Sequence, residues 1–396
     1  MSYQQHQSHP HAGIAVIMAM TMALGPLALD AYLPAFPAMA ASLNVSAHQI
    51  SLSVSIYVFV LALGQLVGGP LSDRWGRAPV MLAGLTTFGV ASFLIGHAQT
   101  LNQLLLLRAL QAFGGGWATV CVPAMVRDRL SGVEAARFFS LIGLIMILAP
   151  AIAPSLGSLI LMSYNWPAIF IVLTIYALAL ALLSKRVLFR GNFKPPAPTE
   201  VLSIWKRYGV VFSVRPALRY MLLQTFSFAV MLLFITHSSF IYQEHFGASE
   251  SKFALLFGAN ILFMVIANLS NRKLLKQLSP QNILRWSITL QAIGILLLIL
   301  VSTLAPVIWL FLPAMMITVG AMGAVTPNTQ ACFMEYFSRN GGTASALLGA
   351  TQFSVAGLIS AASALLPETI LAVVLAQAGC SLICLLLVWG GANGES

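Results

Sequence analysis

The feature that most constrains this chain is a succession of apolar runs, each about 20 residues long, joined by short polar stretches. A helix rises about 1.5 Å per residue, so a run of that length crosses the hydrocarbon core of a bilayer. Within hydrocarbon every backbone polar group must be bonded inside the protein, which leaves helices and closed barrels. Barrel strands alternate polar and apolar residues, and these runs do not. They fall at about Gly13 to Pro34, His48 to Leu71, Pro79 to Gly96, Asn102 to Val126, Ala135 to Leu161 and Trp166 to Leu183. In the second half they fall at about 217 to 242, 252 to 271, 282 to 304, 307 to 334, 341 to 366 and 369 to 389. The expected fold is an all-α integral membrane protein of twelve transmembrane helices. Composition agrees: 59% of the residues are hydrophobic and 8% charged, where soluble domains carry roughly 25% charged residues.

Between the sixth and seventh runs, residues 184–216 hold Lys185, Arg186, Arg190, Lys194, Lys206 and Arg207 around Pro195-Pro196-Ala197-Pro198. That is a basic, proline-broken linker. It divides the chain into a six-helix bundle at 13–183 and another at 217–389, with tails at 1–12 and 390–396. The first run is read as a span and not a cleaved leader, because no basic segment precedes it, it is too long, and Asp30 lies inside it.

The net charge of +10 would suit nucleic acid in a soluble domain, but here it marks topology. If the N-terminus is cytoplasmic, the loops and helix ends on that side carry 18 of the 20 Lys and Arg residues, and the opposite side carries Lys252 alone. Both termini are therefore expected inside, and no nucleic-acid partner is expected. The remaining basic residue, Arg108, lies within a run. Cys121, Cys332, Cys380 and Cys384 sit in apolar segments without ligand spacing, so neither a disulfide framework nor a metal site is read from them. His6, His9 and His11 lie in a polar tail and are not read as a metal site either.

No His-Glu-x-x-His, Gly-x-Ser-x-Gly or phosphate-binding glycine loop occurs, so the chain is not read as an enzyme and no cofactor is expected. Two halves of six spans fit the parallel-repeat plan of secondary transporters, which handle substrate near the midplane between the halves. A membrane sensor would call for a signalling domain or a long tail.

Residues 64–80 join the second and third runs through a seven-residue polar hairpin. Gly69, Asp73, Arg74, Gly76 and Arg77 match Gly-x-x-x-Asp-Arg-x-Gly-Arg-Arg, with Ala78 departing at the last position. This resembles the signature between spans two and three of major facilitator transporters. Leu29-Asp30-Ala31-Tyr32-Leu33-Pro34-Ala35-Phe36-Pro37, Arg108-Ala109-Leu110-Gln111-Ala112, and Ala149-Pro150 to Pro154 with Gly157 look like the bicyclomycin and chloramphenicol resistance (Bcr/CflA) branch. The resemblance spans the chain and is stronger in the first half. The second-half counterpart of the hairpin, Asn268 to Lys276, lacks the Asp and both glycines. In span five, Ala149, Ala153, Pro154, Gly157 and Ser158 keep small residues but lose three glycines of the drug-antiporter pattern.

What the resemblance implies is proton-coupled export of small, partly apolar drugs across a bacterial inner membrane by a multi-pass protein. The expected partners are a small-molecule substrate, protons and the lipid bilayer, with the chain acting as a monomer. The alternative is proton-coupled transport of a metabolite such as a nucleoside or an amino acid.

Asp30 is the only acidic residue well inside a run, and intramembrane carboxylates are functional by default. It is the candidate proton site, and the matching Asp of relatives is implicated in coupling. The competing structural reading is an ion pair with Arg108, since both residues fall roughly 6–9 Å below the outer boundary. Arg108 is a second candidate for coupling.

Pro26, Pro150 and Pro154 each remove a backbone donor and are read as helix kinks. Gly114-Gly115-Gly116 is read as a site of close helix packing. Candidate cavity groups are Tyr32, Tyr57, Gln65, Gln111, Gln224, Phe228, His237, Asn260 and Gln352, although each taken alone reads first as a packed or interhelical hydrogen-bonding residue. His237 is also a candidate second proton carrier. Finally, Asp73 is expected to meet the positive end of the helix that opens at Asn340-Gly341-Gly342-Thr343, latching the halves on the inside when the cavity opens outward. The competing reading is a solvated turn.

Overall fold

In the computed structural model the described residues are 10–129, 132–189, 209, 211–304, 306–337 and 341–390. Most of the expected tails, with His6 and His9, the middle of the expected linker, and Asn340 lie outside them. Among the described residues there are helices and no strands. They are α1 (Pro10–Asp30), α2 (Phe36–Leu43), α3 (Ala47–Trp75), α4 (Arg77–Ile95), α5 (Leu101–Arg129), α6 (Gly132–Ser163), α7 (Trp166–Leu183), α8 (Arg215–Ser239), α9 (Glu250–Leu274), α10 (Pro280–Leu304), α11 (Ile308–Gly320), α12 (Met322–Met334), α13 (Gly341–Ala362) and α14 (Ile370–Gly390). They form 11 spans long and apolar enough to cross a membrane, with α1 and α2 in one and α11 and α12 in another, and α6 adds a shorter apolar stretch at Leu148–Ser163. Leu106, Leu255, Leu296 and Trp309 are largely exposed, as side chains facing lipid would be.

Three local details differ from the sequence expectation. The first span does not end at Pro34: it runs from Gly13 to Leu43, broken after Asp30 by a turn and a 3-10 segment, Leu33–Ala35. Pro34 has no N–H to donate and disfavours helical geometry in the residue before it, so the chain re-enters α-helix only at Phe36. Second, the expected seven-residue hairpin is a corner of one residue. α3 continues to Trp75, α4 begins at Arg77, and Gly76 between them takes φ +95°, which side chains with a Cβ rarely adopt. Third, the run at 307–334 is two helices meeting at Ala321. Pro26, Pro150 and Pro154 all lie inside continuous helix.

Successive spans alternate direction, so the connections fall at two ends of the bundle. One, the Ser46 end, carries Asn44 with its left-handed φ of 55° and Ser46, whose side chain and that of Gln49 form a capping box opening α3. The other is the Gly76 end.

Helices α1 to α7 pack on one another, as do α8 to α14, and the groups meet where α3 lies along α13 and α6 along α9. Glycine sets the closest approaches. A Cβ on Gly116 of α5 would stand 2.6 Å from the Leu61 carbonyl of α3, and one on Gly114 would stand 2.7 Å from the Gly84 carbonyl of α4. The triple glycine therefore seats α5 against two backbones at once. Between the groups, Ser46 Oγ bonds Glu368 Oε1 at 3.2 Å, His48 Nε2 bonds the Ala364 carbonyl at 3.1 Å, and Gln243 Nε2 donates to the Pro34 carbonyl at 2.9 Å. Ser55 Oγ and Ser360 Oγ lie 2.8 Å apart a few turns deeper. These bonds gather toward the Ser46 end.

Because α5 cannot back away from α3 without leaving α4, Gly116→Val should destabilise the bundle by about 1–3 kcal/mol through overpacking. The check is a lower melting temperature of the purified protein in detergent, with Gly258→Val, where a Cβ meets open space, as the control that stays near wild type.

Candidate functional site

Arg108 stands on α5, two turns in from the Ser46 end, with no exposed surface. Its guanidinium carbon is 4.3 Å from the ring centre of Tyr32 and 4.3 Å from that of Tyr57, with Phe170 of α7 at 6.0 Å. Nη1 donates to the Ala28 carbonyl of α1 at 3.1 Å and to Gln111 Oε1 at 2.5 Å. Gln111 Nε2 in turn donates to Ser92 Oγ of α4 at 2.7 Å, and the Tyr32 hydroxyl lies 2.7 Å from Ser53 Oγ of α3. A buried cation over desolvated ring faces is stabilised by about 2 kcal/mol or more. Five helices or their continuations thus converge on one charge.

Asp30 is the last residue of α1 and 1% exposed. The break that follows is braced by α6: a Cβ on Gly157 would run into the Ala31 carbonyl, so the small residue the sequence keeps at 157 seats α6 on the backbone beside Asp30. The Asp30 and Arg108 charges both act on Tyr32 and Tyr57, so the four groups form one cluster. The expected Asp30–Arg108 ion pair is not made. The ion pairs among the described residues belong to Arg77, and Arg108 is held by ring faces, a carbonyl and an amide instead. Asp30 Oδ1, the Tyr57 hydroxyl and Arg108 Nε and Nη2 have no hydrogen-bond partner among the described residues. Buried polar atoms without partners are costly. A carboxylate without a fixed cation partner can gain or lose a proton without breaking a salt bridge.

The remaining cavity candidates divide. Gln224 Nε2 donates to Gln352 Oε1 at 3.1 Å, and Phe228 meets Phe353 edge to face at 5.3 Å, making a second cluster where α8 faces α13. Gln65 is half-buried, 3.4 Å from Thr119 Oγ1. Asn260 is committed to the interior of the second group, donating to the Tyr242 hydroxyl at 3.0 Å and the Leu256 carbonyl at 2.8 Å. His237 lies at the seam between the groups, its ring stacked on His48. A cleft of about 480 Å³ near His97, Tyr164 and Asn165 draws none of its lining from the Asp30–Arg108 cluster.

At the Gly76 end, Arg77 is buried and bonds Ser72 Oγ at 2.7 Å, Asp128 Oδ2 of α5 at 3.1 Å, and Asp73. Ser72 Oγ donates to the Gly69 carbonyl at 2.8 Å. Arg77 therefore ties together α3, α4 and α5 just where Gly76 turns the chain. Arg74 is exposed. The Asp73 side chain is 68% exposed and paired with Arg77; of its expected partner, the helix start at Asn340-Gly341-Gly342-Thr343, Asn340 lies outside the described residues and α13 begins at Gly341. Sequence reasoning had not singled out Ser53, Ser92, Asp128 or His48 for a role. Only Asp128 carried a local signal, as the one acid between Arg127 and Arg129.

Comparison with known proteins agrees with this architecture. Residues 14–361 match the model of the Major Facilitator Superfamily. The chain is 28% identical over 337 residues to the bicyclomycin resistance protein homolog of Haemophilus influenzae, covering 85% of each chain. It is 29% identical over 366 residues to the multidrug resistance protein MdtL of Citrobacter koseri, covering 92% of each. Among solved structures it is similar to a variant of the nucleoside transporter NupG, with a TM-score of 0.77 at 13% identity over 96% of this chain and 99% of that one. It is also similar to a partially occluded, inward-open xylose transporter XylE from E. coli, at 0.74 and 14% identity over 98% and 100%. The first relative bears out the branch resemblance read from the motifs, and the relatives are transporters, not enzymes. The protein is a multi-pass membrane transporter of small molecules and belongs to the Major Facilitator Superfamily.

Proposed function

We propose that this protein is a proton-coupled multidrug efflux antiporter that exports small, partly apolar drugs by alternating access. The observation that carries the reading is Asp30: a carboxylate buried at the break of the first span, with Oδ1 unpartnered among the described residues, beside an arginine anchored by other groups. Neutralising Asp30 leaves the Arg108 anchors intact. A proton and a substrate that compete for this carboxylate exchange with each other, because binding of either displaces the other. The drug-resistance names of two relatives support the substrate class.

The reading includes twelve spans, since α6 at 32 residues is long enough to cross, arranged as six-helix halves on either side of the basic linker. The distribution of Lys and Arg puts both termini and the Gly76 end in the cytoplasm of a bacterium and the Ser46 end on the outer face of its inner membrane. Bonds between halves gathered toward the outer end then support an inward-facing state. In that state Asp73 is held by Arg77 and exposed, as a released latch would be. When the outer end opens, Asp73 meets the start of α13 and ties the halves inside. The protein works as a monomer.

In proteoliposomes with an imposed proton gradient, Asp30→Asn should lose at least tenfold of the gradient-driven drug transport. Binding of an uncharged drug, measured by calorimetry, should persist; proton-coupled transport at the wild-type rate would exclude Asp30 as the coupling site. Coupled movement of nucleosides or amino acids but of no drug would replace the drug reading with the metabolite one. Asp73→Asn should slow transport severalfold while leaving protein abundance and drug affinity near wild type, and loss of affinity without a change in transport rate would contradict the latch.

A further inference from the structure

At the Ser46 end two histidines from opposite halves lie face to face. His48 is in the first turn of α3 and His237 near the end of α8; both are buried, with ring centres 5.3 Å apart and planes inclined by 30°. Each ring is fixed by one nitrogen. His48 Nε2 is 3.1 Å from the Ala364 carbonyl, which can only accept, so His48 carries its proton on Nε2. His237 Nε2 is 2.8 Å from Ser363 Oγ, whose hydroxyl proton is already given to the Ser360 carbonyl at 2.6 Å. Ser363 therefore accepts, and His237 also carries its proton on Nε2. This tautomer assignment rests on the hydrogen-bond pattern. It leaves the Nδ1 lone pair of both rings without a partner among the described residues: two unoccupied bases, stacked, in the seam that closes the outer face.

We propose that His48 and His237 form a proton-binding clasp, holding the outer ends of the two halves together while both rings are neutral and releasing them when protons bind. Two imidazolium rings stacked across the seam repel each other, and both would be buried. Separation relieves the repulsion and lets water reach the charges. Two carboxylates lie on the surrounding elements. Glu244, on the π-helical turn that continues α8, acts on His48, and Glu368, before α14, acts on Glu244 and accepts the Ser46 hydroxyl. The turn Ser363–Leu365 contributes no titratable side chain, and the 3-10 segment Leu33–Ala35, which binds Gln243, contributes none either. Imidazole is the group whose ordinary titration spans the outer environment of a bacterium. Protons arriving from outside would thus open the face through which they enter. The inference goes beyond the coupling role of Asp30 and stands or falls separately from it.

The test uses full-length protein in lipid nanodiscs with spin labels on Ser42→Cys and Lys252→Cys, both exposed and on opposite halves at this end. The interlabel distance is followed from about pH 8 to about pH 5, across the imidazole range. In the otherwise unsubstituted protein the population with the longer outer distance should grow severalfold on acidification. Glutamine places an amide N–H near the position of Nε2 and offers no base, so His48→Gln and His237→Gln keep the bonds to Ala364 and Ser363 and remove the titration. Either should at least halve the acid-induced population, the double variant should abolish it, and Asp30→Asn should retain it. Absence of widening in the otherwise unsubstituted protein overturns the clasp, and so does the same widening in both glutamine variants. A response lost in Asp30→Asn but kept in the histidine variants also overturns it. Should the double variant fail to fold, the single variants and the unsubstituted titration decide the matter.

Discussion

The structure depends on keeping one fully buried cation without a bonded carboxylate among the described residues. Arg108 is held by two tyrosine faces, a backbone carbonyl of α1 and an amide that leans on α4. Each is a weak partner next to a carboxylate, and the positions of all of them must hold together for the charge to be tolerated. This explains why α5 is the centre of the first group. Its glycines bring two neighbouring backbones to contact distance, and its arginine binds the helices those glycines draw in. Packing and electrostatics make the same demand on the same helix.

Holding the guanidinium without Asp30 separates two tasks that a salt bridge would fuse. A buried pair loses most of its stabilisation when one partner is neutralised, so a carboxylate locked to Arg108 would resist protonation. Here the cation has its own anchors, and the carboxylate at the end of α1 stands at a break in the helix where the backbone is already irregular. Cation and acid share the field at Tyr32 and Tyr57 without sharing a bond.

The spans were legible because hydrophobic length is a property of the chain alone. Trp166–Leu183 falls where the composition puts it, and most other ends agree within a few residues. The depth match of Asp30 and Arg108 was also legible, because rise per residue is fixed, but their lateral relation depends on how five helices pack. Nothing local in Tyr32 or Tyr57 says that the two rings face each other across a guanidinium. The hairpin looked like a loop because its residues are polar, whereas the helices run to Gly76 from both sides and polar side chains simply clothe their ends. Asp128 and His48 escaped notice for a related reason: their partners, Arg77 and His237, are 51 and 189 positions away. The second group holds the counterpart of the Arg77 junction in neutral form. Asn328 Nδ2 donates to Asn271 Oδ1 at 2.7 Å, and Asn268 Nδ2 donates to the Gly323 carbonyl at 3.0 Å. The hairpin signature places charges and glycines on that stretch, while the junction there uses amides, with a glycine supplied by the facing helix.

Gly76 carries a mechanical consequence. A loop of several residues between α3 and α4 would act as a slack tether, letting one helix tilt while the other stayed. A corner of one residue, clamped by Arg77 to both helices and to α5, behaves more like the elbow of a crank. Rotation of α3 has to appear as rotation of α4 and α5, with little lost in the joint. The seam along α3 and α13 and the seam along α6 and α9 join the two groups with no such one-residue elbow between them.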